Sequence, residues 1–127
     1  MQSYPNGLTT NSNDGVVSYE PFYPIFSAMQ EVGMVLNIHG EAASDYQNNV
    51  TIMNAEDRFL PVLAKLHRMF PRLKIVMEHI TTARACDMIR SCDGNVVGTI
   101  TAHHMSLLVD DWAGNVVRPI ASEYREE

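Results

Sequence analysis

Val35-Leu36-Asn37-Ile38-His39-Gly40-Glu41 and Lys74-Ile75-Val76-Met77-Glu78-His79-Ile80-Thr81-Thr82 decide how this chain folds. Each is a short apolar run that reaches a histidine and passes into polar turn residues, and a helical pattern lies between them. That is the signature of a βαβ unit. A helical crossover makes the two strands parallel, so both histidines leave the sheet at its carboxyl edge. Sheets and barrels of the α/β class assemble their ligand and catalytic sites at that edge. Neighbouring strands lie about 4.8 Å apart, which puts two imidazoles within reach of one metal ion at about 2.0–2.1 Å each.

The pattern extends in both directions. Upstream, Ile25, Phe26, Met29 and Val32 fall at helical spacing, with Gly33 as the cap after the helix end. Between the histidine strands, a polar loop from Ala42 to Met53 leads to a second helix. Asn54 is its candidate cap, Phe59, Val62, Leu63, Leu66 and Phe70 form its buried stripe, and Pro71 stops it. After the second histidine strand, Thr81 or Thr82 caps a third helix that turns Ala85, Cys86, Met88 and Ile89 inward. Val96-Val97-Gly98-Thr99-Ile100-Thr101 is then a third strand, which delivers His103 and His104 to the same edge. Residues 1–18 are dense in turn formers and read as a loop segment, 19–104 as β/α units, and 105–127 as an irregular tail. The fold class is α/β. Three parallel strands leave two open edges, so the sheet reads as an arc of a larger one, prone to self-association.

Bulk properties narrow the function. The 127 residues suit one domain, and 46% hydrophobic residues lie in the globular range. Nine Lys and Arg against fifteen Asp and Glu give a formal charge of −6. With no basic cluster, that disfavours a nucleic-acid surface. No apolar stretch approaches the roughly 20 residues of a membrane span, and Met1-Gln2-Ser3-Tyr4 does not begin like a signal peptide. Cys86 and Cys92 are too few for a disulfide framework or a thiolate zinc site, which points to a reduced, cytoplasmic setting. Asn49-Val50-Thr51 matches a glycosylation acceptor by chance.

Among the candidate site residues, His39 and His79 are the metal ligands the strand pattern offers. Glu41 and Glu78 flank them as carboxylates able to orient the imidazoles. His103 and His104 read as polar strand-end residues, Arg58 as part of a solvated helix face, and Trp112 as a packed ring in a turn. The eight methionines read as flexible core filler.

A set of strings in order carries a family resemblance. These are Tyr4-Pro5, Thr9-Thr10-Asn11-Ser12, His39-Gly40-Glu41, Glu78-His79-Ile80-Thr81-Thr82 and Thr99-Ile100-Thr101 before His104. Together they resemble the single-function dihydroorotases of the metal-dependent amidohydrolase superfamily, and Val109 to Asn115 looks like the fungal members. The resemblance implies part of a (β/α)8 barrel, roughly three β/α units from its middle. It also implies a cyclic amidohydrolase that interconverts dihydroorotate and N-carbamoyl-L-aspartate in pyrimidine biosynthesis. His39 and His79 match ligands of one zinc of the family's binuclear pair, and Thr9 and Thr10 match the paired threonines of a substrate loop.

The chain also departs from the family. Gln2 stands at the family's carboxylated lysine, which bridges the two metals, and an amide cannot be carboxylated. The family's His-x-His, its substrate-binding Arg and Asn, and its proton-carrying Asp have no counterpart in these 127 residues. The expectation is therefore weak or single-site zinc binding and no turnover by the chain alone. The alternative is an inactive fragment or paralogue that acts by association with a partner.

Overall fold

The computed structural model describes residues 1–6, 14–108 and 111. Four parallel strands form one sheet in the order β1 (Gln2–Ser3), β2 (Val35–His39), β3 (Lys74–Glu78) and β4 (Val96–Gly98). Helices α1 (Tyr23–Glu31), α2 (Ala55–Met69) and α3 (Ala83–Ser91) connect them in turn. Both histidine runs are thus strands, parallel and adjacent, with His39 opposite Glu78 in register.

The sequence pattern predicts three strands; the described residues form four. Gln2 and Ser3, placed in the opening loop, pair with Asn37 and Ile38. The backbone of Met1 extends this ladder, its carbonyl accepting from the Asn37 N–H at 2.8 Å. A two-residue polar strand is too short to show a period-2 pattern. Its anchor is instead Ser3, buried with its hydroxyl on the Tyr19 phenol at 3.2 Å. β4 ends at Gly98, three residues before the expected Thr101.

Alternation along the strands separates two faces. Leu36, Ile38, Ile75, Met77 and Val96 are buried and meet Phe26, Met29, Phe59, Leu63, Leu66 and Ala85 from the helices. Asn37, His39, Val76 and Glu78 point the other way and are half-buried, while Val35 and Val97 are exposed there. Helices therefore cover one face, and the other carries the polar residues.

Several local expectations shift. Ile25 and Val32 are exposed, so only Phe26 and Met29 of the first stripe reach the core. Gly33 does terminate α1, at φ +68. Asn54 sits at the α2 cap position, but its side chain accepts from the Thr51 N–H and donates to the Asn49 carbonyl instead of capping the helix. Thr82 caps α3, accepting from the Ala85 N–H at 3.2 Å. Only Met29 and Met77 of the eight methionines are buried, and five are exposed, so most are not core filler. Arg58 lies on an exposed helix position. Cys86 and Cys92 are free thiols. Among the described residues no helix is long and apolar enough to cross a membrane.

Candidate metal and active site

His39 is the last residue of β2, on the face away from the helices. Strand alternation alone would send His79 to the opposite face, because Glu78 is the residue level with His39. His79 avoids this by leaving the strand with φ +44, in the left-handed region. Its ring swings back, and His79 Nε2 comes 2.9 Å from His39 Nδ1. A non-glycine residue held there signals local strain.

Two hydrogen bonds brace that turn from β4. The His79 N–H donates to Thr99 Oγ1 at 2.7 Å, and the Ile80 N–H to the Thr99 carbonyl at 2.8 Å. A third element, α2, holds the turn through buried Glu56. Its carboxylate accepts from the Thr81 N–H at 2.9 Å and the Thr81 hydroxyl at 2.8 Å.

The partners of the two rings bear on which nitrogens could meet a metal. His39 Nε2 lies 2.8 Å from Glu41 Oε2. The carboxylate only accepts, so the proton sits on Nε2 and Nδ1 presents a lone pair toward His79. That hydrogen bond also holds the Glu41 carboxyl below its ordinary range, against the opposing pull of burial. Burial is the main cause that lowers the His79 pKa, which favours its neutral imidazole. Two nitrogens bound to one tetrahedral ion stand roughly 3.3 Å apart. The pair accommodates such an ion with little movement. Among the described residues no group of three or more His, Cys, Asp or Glu side chains could hold a metal ion. What is present is a pair of imidazole nitrogens, His39 Nδ1 and His79 Nε2.

Glu78 has a different role from Glu41. It accepts from Gln2 Nε2 at 3.2 Å and from Asn37 Nδ2 at 3.3 Å, tying β1, β2 and β3 together on the polar face. Gln2 therefore does face the site, as a neutral amide. His104 approaches through the turn at Ala102–Met105, its ring 6.4 Å from that of His79. Thr9 and Thr10, and the 109–115 segment apart from Asp111, lie outside the described residues. A cleft of about 420 Å³ between α1 and α2 is lined by Tyr23, Phe59, Val62 and Glu41, but by neither histidine. Sequence reasoning missed Asn37, Glu56 and Thr99. Asn37 and Thr99 carry a visible signal, as polar residues in apolar strand runs; Glu56 carries none.

No protein-family model matches the chain. A probable dihydroorotase of Schizosaccharomyces pombe is 52% identical over 129 residues, covering 99% of this chain and 38% of that protein. The chain is a homologue of dihydroorotases. A dihydroorotase of Mycosarcoma maydis is 49% identical over 95% of this chain and 32% of its own length. The crystal structure of Saccharomyces cerevisiae dihydroorotase in complex with 5-fluoroorotic acid superposes with a TM-score of 0.81 at 46% identity, over 90% of this chain and 35% of that one. Campylobacter jejuni dihydroorotase superposes with a TM-score of 0.80 at 41% identity. The α/β fold with its parallel sheet is thus that of the dihydroorotase barrel, of which these 127 residues span about a third.

Proposed function

We propose that this chain contributes the two-histidine half of a zinc site to a dihydroorotase-type amidohydrolase, which opens and closes the cyclic amide of dihydroorotate. The convergence of His39 Nδ1 and His79 Nε2 to 2.9 Å at a parallel-sheet carboxyl edge carries the proposal. The similarity of nearly the whole chain to dihydroorotases supports it. His39 and His79 hold the ion. Glu41 keeps the His39 proton on Nε2 and so keeps Nδ1 free as a donor to metal. Bound zinc supplies Lewis acidity toward the amide carbonyl of the ring. Thr9 and Thr10 contact substrate in this reading, and Gln2 holds the position of the family's bridging lysine through a neutral amide. Free Cys86 and Cys92 support a cytoplasmic setting. Exposed Val35 and Val97 on the uncovered face, with two open sheet edges, support self-association, which light scattering tests.

The decisive experiment replaces the matched stretch of Saccharomyces cerevisiae dihydroorotase by residues 1–127. Turnover of dihydroorotate should be zinc-dependent, should rise with Gln2→Lys, and should vanish in His39→Ala and in His79→Ala. Turnover indifferent to both histidines overturns the assignment. Calorimetric titration of the chain itself should show weak zinc binding that is lost in His79→Ala.

A further inference from the structure

Glu56 is a buried carboxylate on the first turn of α2, 7% exposed, and its hydrogen bonds run to the turn after β3. The Thr81 N–H lies 2.9 Å from Oε1 and 3.2 Å from Oε2, and the Thr81 hydroxyl lies 2.8 Å from Oε2. A place in the first turn of α2 suits an acidic side chain, through the helix dipole. Thr81 is two residues beyond His79, whose φ of +44 swings its ring onto His39. Three consecutive N–H groups of the turn are therefore clamped: those of His79 and Ile80 to Thr99, and that of Thr81 to Glu56. Thr99 fixes the side of the turn facing β4, and Glu56 fixes the side facing α2. A left-handed non-glycine residue persists only where its surroundings over-determine it. Removing the Glu56 clamp leaves Thr99 alone to hold the turn, which lets the His79 φ relax and turns the imidazole away from His39.

We propose that Glu56 is a positioning residue that sets the aim of the His79 imidazole by clamping Thr81. The proposal rests on the two-histidine site assigned above, and its test separates the two. In the metal-free chain, the His79 Cα shift and the HN–Hα coupling report φ by NMR. Glu56→Ala should move both away from left-handed values. Glu56→Gln should keep them, because its carbonyl oxygen accepts from the Thr81 N–H and its NH₂ donates to the Thr81 hydroxyl. Zinc affinity should fall by about tenfold to a hundredfold in Glu56→Ala, the range seen when a partner orienting a metal ligand is lost. It should return in Glu56→Gln. Leu63→Ala, on the same helix, should lower the melting temperature without moving the His79 signals. If Glu56→Ala does not fold, Thr81→Ala removes the hydroxyl arm from the other side and should shift the same signals. Unmoved His79 signals in the folded variant, or an equal shift in Leu63→Ala, overturn the proposal. A parent chain that binds no zinc overturns the site assignment, while the NMR comparison still judges Glu56.

Discussion

Replacing Gly98 by alanine should destabilise the chain, although Gly98 lies on the exposed edge strand β4. A Cβ built there falls 2.8 Å from Ile80 Cδ1 and 2.8 Å from Ile89 Cδ1. Carbon atoms prefer about 3.5–4.0 Å, so both terminal methyl groups must move, that of half-buried Ile89 more easily than that of buried Ile80. Ile80 is 6% exposed and has little room. Overpacking of this kind costs about 1–3 kcal/mol. Gly98 does not share the positive φ of Gly33 and Gly94, so alanine also recovers about 0.4–1 kcal/mol of unfolded-chain entropy. With two collisions the overpacking cost should lie in the upper half of its range, for a net loss of about 1–2 kcal/mol. Ile89→Val removes one of the colliding methyl groups and alone costs about 0.5–1.5 kcal/mol. Combined with Gly98→Ala it should relieve part of the clash, leaving the pair about 1 kcal/mol short of additivity. Urea unfolding with unchanged m-values measures all three variants. Gly98→Ala within about 0.5 kcal/mol of the parent, the noise of surface substitutions, or strict additivity, would refute the packing argument.

Three further outcomes are expected. Leu63→Ala, at a position with no exposed surface in the centre of the core, should cost about 2–5 kcal/mol by the same assay. Glu41→Gln replaces a charge-assisted bond to His39 by a neutral one; with the carboxylate 37% exposed, zinc affinity by calorimetry should fall by about tenfold or somewhat less. The hydrogen bond from Lys65, reinforced by Ser18, lowers the Glu20 pKa to about 2. Any stability from this pair is present above the ordinary carboxylate range and is lost as pH falls through about 2, and a carboxyl NMR midpoint at the ordinary value would contradict the pairing.

The parallel β2–β3 pair was legible because its apolar runs, turn residues and intervening helix all point to one topology. β1 was not, because Gln2 and Ser3 carry no pattern and their strand character comes from the Asn37 and Ile38 backbone beside them. The place of His39 is legible, since it ends a strand on the polar face. His79 meets His39, but by the left-handed turn and not by the strand. No local pattern announces a positive φ at a histidine. Glu56 was invisible for a related reason: it lies 25 positions from Thr81 and meets it only once α2 has packed.

The in-register pairing of β2 with β3 also sets where this chain tolerates changes of length. One residue inserted between Lys74 and Glu78 would exchange the two faces of β3 beyond it, sending Met77 toward solvent and Glu78 into the helix layer. The 42–54 connection faces no such constraint. Its tip, from Tyr46 to Asn49, is exposed and closed off by the Asp45–Val50 bridge. Insertions and deletions in descendants of this sequence should therefore collect at that tip and be absent from β2 and β3.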